Sequence, residues 1–164
     1  MTESTADPVD AEVRAAVGVI ARRFHEREQE IIDHMTARML EIDHLDGDPV
    51  LVDLLRASVE ANITTINHVL SNDIPIAHLQ PTTAAVEYAF RLAQREVPSN
   101  SLMRAYRMGE YEYNRLCLEM LEDLELSEAV SIRAASYLAR VLFDYIDWIS
   151  QQVFLAYENE RRRW

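Results

Sequence analysis

The feature that most constrains the fold is the last segment of the chain, which contains neither proline nor glycine between Ser127 and Trp164. Serine is a favourable N-cap residue, so we predict that Ser127 starts a helix with no break before the end of the sequence. About 36 residues at a rise of 1.5 Å each give a rod of roughly 54 Å. A compact domain of this size needs no helix of that length, so we expect this helix to contact a partner as well as the core of its own domain.

The apolar residues of this segment occupy more than one side of the predicted helix. One set follows the helical repeat and is expected to pack on the domain's own core: Ala134, Leu138, Val141, Tyr145, Ile149 and Val153. The other large apolar residues fall outside that set: Phe143, Trp148, Phe154, Leu155 and Tyr157. Because a helix that is apolar on two sides is buried on two sides, we predict that the second set binds the same helix of a second subunit and forms a homodimer.

Two Asp-Pro pairs mark the starts of two earlier helices, because aspartate caps a helix and proline is favoured at its first position. The pair at residues 7–8 predicts a helix that continues to about Asp43 and bends within residues 22–27, where its apolar stripe thins. The pair at residues 48–49 predicts a second helix that ends near Ser71.

Proline also separates the next two helices. Pro98 ends a third helix that begins near Thr82, and a fourth helix, capped by Ser99 or Asn100, continues to about Leu124. The chain has only 3 glycines in 164 residues and no alternating strand pattern. We therefore predict one all-α domain over residues 1–164, a bundle of five or more helices with a long C-terminal helix.

The net charge and the short apolar stretches limit the kinds of partner that the chain can contact. The formal net charge is −12, which argues against direct contact with nucleic acid, because a phosphate-binding surface should be basic. No stretch of about 18 apolar residues is present, so we expect no membrane span. The first ten residues are polar and acidic, without the apolar core of a signal peptide, and we expect a cytoplasmic protein.

Two residues interrupt otherwise apolar stripes. Asn62 lies on the stripe of the second helix, and a buried asparagine must find hydrogen-bond partners. We expect it to bond to Tyr88 or Tyr106, or to line a small pocket. Gly109 lies on the stripe of the fourth helix, where glycine costs about 1 kcal/mol relative to alanine. The close approach of another helix would explain it.

Four segments resemble a known family: residues 57–70, 87–98, 102–109 and 145–161. Together they resemble the N-terminal domain of PucR/CdaR-type bacterial transcriptional regulators, which is similar to the RsbR/RsbT co-antagonist N-terminal family. The resemblance covers about residues 50–162. It implies a globin-like helical fold without haem, a dimer, and a sensing or dimerisation role in transcription control. It also implies that the chain is cut from a longer regulator with a downstream helix-turn-helix, which is absent here.

The most specific of these segments carries a candidate ligand site. Arg104, Tyr106 and Arg107 lie within one helical turn and would hold a carboxylate or phosphate through charge-assisted hydrogen bonds. The alternative is that Tyr106 fills the core while the arginines pair with neighbouring acidic residues. The complete candidate set for a small-molecule effector is Asn62, Tyr88, Arg104, Tyr106 and Arg107.

The sequence gives little support for catalysis or for a metal. It has no nucleophile-elbow, Walker or dinucleotide-binding motif, so we expect no enzyme and no cofactor. Its five histidines form no zinc or di-iron spacing; Glu30 and His34 share a helix face, and His68 would be the haem ligand that a globin-like fold suggests. We interpret the histidines as surface or core residues. Cys117 is expected to be buried and inert.

Overall fold

The computed structural model describes residues 8–42 and 47–163, with only the backbone at residue 42. These residues form six α-helices, one short 3₁₀ helix and no strand, which confirms the all-α class and the long C-terminal helix. The elements are α1 (Pro8–Glu26), α2 (Glu28–Ile42), α3 (Pro49–Asn72), the 3₁₀ helix (Ile76–His78), α4 (Thr83–Gln94), α5 (Ser99–Asp123) and α6 (Glu128–Arg163).

Side-chain caps fix the starts of three helices. The carboxylate of Asp48 accepts hydrogen bonds from the backbone N–H groups of Val50 and Leu51 at the start of α3. Thr82 caps α4, and the hydroxyl of Ser127 accepts from Val130 N–H at 3.3 Å to start α6. The predicted starts of α3 and α6 are therefore confirmed. The predicted Asp7 cap and the predicted end of the first helix near Asp43 lie outside the described residues.

The predicted cap of α5 is wrong. Pro98 occupies the N-cap position with no side-chain hydrogen bond, and Ser99 already belongs to the helix. The proline still fixes the boundary, because it cannot continue the preceding helix and its ring presets the backbone at the start of the next one.

The first predicted helix is two helices in the structure. α1 and α2 meet at Arg27, close to the predicted bend, although the backbone bonds Arg27 N–H to Arg23 O (3.1 Å) and Ile31 N–H to Arg27 O (3.0 Å) continue across the junction. α1 packs on α3 and α6, whereas α2 packs on α3 and α5. α3 packs against both helices, and the break redirects the chain from α6 to α5.

α6 organises the bundle, since α1, α3, α4 and α5 all pack against it. One side of α6 is completely buried at Tyr145, Ile149, Val153 and Tyr157. In the described part of the chain, no helix is both long enough and apolar enough to cross a lipid bilayer.

Candidate functional site

A small cavity of about 50 Å³ lies at the centre of the bundle. α2 contributes Met35 and Met39 to its wall, and α3 contributes Ser58 and Asn62. α4 contributes Tyr88, and the remaining wall comes from α5 and α6. Every long helix except α1 therefore borders this space, and a change in its contents would be felt by most of the fold.

Asn62 links two tyrosines at the edge of the cavity. Its Nδ2 donates to the hydroxyl of Tyr106 at 3.4 Å, and its Oδ1 accepts from the hydroxyl of Tyr145 at 2.6 Å. The amide is buried, so both bonds replace contacts with water. The prediction that Asn62 bonds to Tyr106 and lines a small pocket is confirmed. The contribution of Tyr145 was missed, since only its place on the apolar stripe of α6 marked it as buried.

Both phenols stay protonated over the physiological range. Burial raises the pKa of Tyr106 to about 12, although hydrogen bonds from Asn62 and Ser58 offset part of that effect. Burial, and then the nearby Tyr106, raise the pKa of Tyr145 above its ordinary value. The cluster therefore offers neutral hydroxyl groups, which donate and accept hydrogen bonds but carry no charge.

The predicted ligand residues do not form one site. Asn62, Tyr88 and Tyr106 line the cavity, whereas Arg104 and Arg107 are exposed and lie outside its wall. Arg107 instead borders a surface groove between α5 and α6. Because consecutive residues turn by about 100° around a helix axis, both arginines point away from the inward-facing Tyr106. The structure therefore separates the two arginines from the cavity, and anion binding by the arginines stays a prediction.

Gly109 allows α2 to approach α5. A Cβ atom built on Gly109 would lie 3.2 Å from the terminal methyl of Met39, which is tighter than ordinary van der Waals contact. The expected close approach of another helix is confirmed, and the approaching group is a flexible side chain. Gly109 and Met39 both line the cavity, so the glycine leaves room beside it.

A second feature is an apolar surface on α5 and α6. Tyr111 and Ile132 are more than half exposed, as is Phe143, and Leu118 is nearly so. Tyr111 and Ala139 border one groove, so these sides of α5 and α6 are neighbours. Tyr111 and Leu118 are seven residues apart on α5, and Ile132 and Phe143 are eleven apart on α6, so each pair shares one side of its helix. We call Tyr111, Leu118, Ile132 and Phe143 the α5–α6 face.

The residues predicted to form the dimer interface differ in how far their side chains are exposed to solvent. Phe143, Phe154 and Leu155 are exposed, whereas Trp148 is partly buried, with its ring 6.0 Å from that of Tyr145. The prediction that Tyr157 lies in a dimer interface is wrong. Its side chain is completely buried in its own subunit, and its hydroxyl donates to the carbonyl of Val97. Its assignment failed because α4 and the following loop cover the end of α6.

The exposed residues of α6 also lie on different sides. Phe143 and Phe154 are eleven residues apart, roughly three helical turns, and so share a side with Ile132. Leu155 follows Phe143 by twelve residues and is rotated by about 120° from it. Phe143 and Leu155 therefore cannot lie at the centre of one flat interface.

A buried carboxylate connects α2 to α5. Glu112 is 3% exposed and lies 2.9 Å from Arg115, 3.6 Å from His34 and 3.9 Å from Arg38. The hydrogen bond from Arg115 is the main cause that holds the pKa of Glu112 below its ordinary value, with smaller contributions from the charges of Arg115, Arg38 and His34. His34 thus faces a partner on another helix, a contact that its spacing from Glu30 did not indicate.

The other sequence candidates occupy ordinary positions. Cys117 is buried, and burial raises the pKa of its thiol to about 12. His68 is exposed, with Nδ1 3.1 Å from the amide of Asn72. Within residues 8–42 and 47–163, the His, Cys, Asp and Glu side chains form no group of three that could hold a metal ion.

The chain matches a known family. The family model described as the RsbT co-antagonist protein rsbRD N-terminal domain matches residues 25–164. The match includes the last part of α1 and all of the helices that border the cavity. No curated protein and no solved structure matches the chain.

Proposed function

The chain belongs to the family of RsbT co-antagonist protein N-terminal domains, and from that premise we propose that it is a homodimeric regulatory domain of a cytoplasmic bacterial transcriptional regulator. The family match supports the regulatory role. The PucR/CdaR-type context rests on the four sequence segments that resemble those regulators. The net charge of −12 favours a role in assembly and signal reception, with DNA contacted by another part of the regulator.

The proposal of a dimer depends on the α5–α6 face. Its four large apolar side chains are solvent-exposed on two neighbouring helices, and a group of exposed apolar side chains is typical of a protein–protein contact surface. A two-fold interface brings the same patch of two subunits together, so one such patch per chain is sufficient.

The shape of the face suits a second copy of this chain. Exposed Ser136 and Ala139 lie between Ile132 and Phe143 on the same side of α6, and such small residues allow two helices to approach closely. Two helices from each subunit then form a four-helix bundle in which the large residues of one chain pack around the small residues of the other. This is the assembly that we propose.

One pair of variants tests the assembly. Phe143→Glu places a carboxylate on the α5–α6 face, whereas Leu155→Glu places the same group at an equally exposed position on another side of α6. Light scattering coupled to size exclusion should report a monomer for Phe143→Glu and a dimer for Leu155→Glu, with equal helicity by circular dichroism. A dimer that survives Phe143→Glu and dissociates in Leu155→Glu would move the interface to the other side of α6.

The cavity favours a second role, that of a small-molecule sensor. Leu142 and Ile146 of α6 line it, and Tyr145 between them holds Asn62. Phe143 of the α5–α6 face directly follows Leu142, so the cavity and the proposed interface share one segment of helix. A ligand that favours one packing of this segment would shift the dimer toward one of two arrangements, as a two-state switch requires.

A further inference from the structure

We propose that the central cavity binds a small uncharged molecule with an apolar body and one hydrogen-bonding group, held at the hydroxyl of Tyr106. This inference rests on the sensor role proposed above and names the class of its ligand. It replaces the anionic ligand that the arginines of α5 suggested.

The residues that line the cavity favour a ligand without charge. None of the described residues that line it carries a charged side chain, and most are aliphatic, aromatic or methionine residues. A carboxylate or phosphate placed there would lose its hydration without gaining a cation, at a large cost in free energy. An apolar body gains instead from leaving water.

The hydroxyl of Tyr106 supplies the polar contact. Its oxygen accepts from Asn62 Nδ2 at 3.4 Å, and a hydroxyl group can also donate its own proton. Ser58 is close enough to hydrogen-bond to it and also lines the cavity. A ligand hydroxyl that joins these groups would both donate and accept a hydrogen bond, and a ligand carbonyl would accept one, which fixes the orientation of the ligand.

Two methionines set the size of the ligand. The cavity measures about 50 Å³, well below the roughly 300–1,000 Å³ of pockets for larger ligands. Met35 and Met39 form the α2 side of the wall, and methionine side chains repack easily because they are unbranched and flexible. Gly109 opposite Met39 leaves space for that movement, so we expect a ligand between a single large atom and a small ring.

Methionine methyl NMR on the 164-residue chain provides the test, since Met35 and Met39 line the cavity while buried Met120 does not. The probes are xenon, phenol and benzoate, which differ in polarity and charge. We expect xenon and phenol to shift the Met35 and Met39 methyl signals with saturation, while Met120 stays unchanged and benzoate has no effect. Unchanged Met35 and Met39 signals with both neutral probes, or equal binding of benzoate, would overturn the proposal.

Three variants locate the site and the polar contact. Ala105→Leu fills the cavity and should abolish both responses, whereas Ala37→Leu on the exposed side of α2 should preserve them. Tyr106→Phe should weaken phenol binding by about two- to tenfold, the value of one hydrogen bond, and leave xenon binding unchanged. Phenol binding that is unaffected by Tyr106→Phe would refute the role of the hydroxyl.

Binding and assembly have separate readouts. Methyl shifts report the cavity, and the mass in solution reports the dimer, so either proposal can fail while the other holds. A dimer with a silent cavity would contradict the ligand class, and a ligand-binding monomer would contradict the proposed assembly.

Discussion

The hydroxyl of Tyr145 lies 2.6 Å from Oδ1 of Asn62 and joins α6 to α3 inside the bundle. Tyr145 is completely buried, and the acceptor belongs to a buried amide. The bond therefore positions the segment of α6 that borders both the cavity and the α5–α6 face.

Loss of this bond should destabilise the fold. Tyr145→Phe leaves a buried acceptor without its donor, and we expect a fall of about 1–3 kcal/mol in the free energy of unfolding, measured by urea denaturation. Tyr137→Phe removes a hydroxyl whose bond to Asp73 is exposed to solvent and should change the free energy by no more than about 0.5 kcal/mol. Equal effects of the two variants would show that the buried bond contributes nothing.

The helix ends that were predicted from sequence are those set by local chemistry. Asp48 and Ser127 cap their helices with their own side chains, so three or four residues contain the whole signal. The break at Arg27 has no such signal, because neither proline nor glycine is present and the backbone bonds continue across it. The thinning of the apolar stripe indicated a bend at residues 22–27, whereas the division into two helices accompanies a change of packing partner from α6 to α5, which single-sequence periodicity does not contain.

The candidate site was predictable only in part, for a similar reason. A polar residue on an apolar stripe must be paired, and this identified Asn62 and its bond to Tyr106. The second partner, Tyr145, is 83 residues away and has no local mark. Arg104 and Arg107 were grouped with Tyr106 because they are close in sequence, although the helix turns them toward solvent. The likeness to globins remains a prediction from the resemblance.

Glu112 should make stability depend on acid pH. Its folded-state pKa is lowered, so its ionised form stabilises the fold above the ordinary carboxyl pKa, and this contribution is lost as the pH falls through the lowered value. At neutral pH, Glu112→Gln should reduce the free energy of unfolding by about 1–3 kcal/mol.

The pH series has a matched control in Glu119, which pairs with the same Arg115 at 2.6 Å but is more than half exposed. Glu119→Gln should cost at most about 1 kcal/mol. The difference between wild type and Glu112→Gln should shrink as the pH falls from the ordinary carboxyl pKa through the lowered pKa of Glu112. A difference that stays constant down to pH 2 would show that the charge of Glu112 is not its cause.

Cys117 should be unreactive in the folded protein. It is 1% exposed, and burial raises the pKa of its thiol to about 12, so neither access nor thiolate is available at neutral pH. Iodoacetamide followed by mass spectrometry should show labelling only after denaturation. Rapid stoichiometric labelling under native conditions would contradict this burial.

Gly109→Ala should stabilise the protein. Alanine is favoured over glycine in a helix by about 1 kcal/mol, and the atom it would crowd is the end of the flexible Met39 side chain, with the cavity beside it. We expect the free energy of unfolding to rise by up to about 1 kcal/mol, and xenon binding to weaken as the space fills. A destabilised variant would mean that Met39 cannot move.

The central claim is that the α5–α6 face binds a second copy of this chain. Sedimentation velocity of the wild-type protein across the micromolar range measures this most directly, since it reports the mass of the species at each concentration. We predict that the mass reaches twice that of one chain and stays there. The mass of a single chain at every concentration, up to tens of micromolar and above, would contradict the claim.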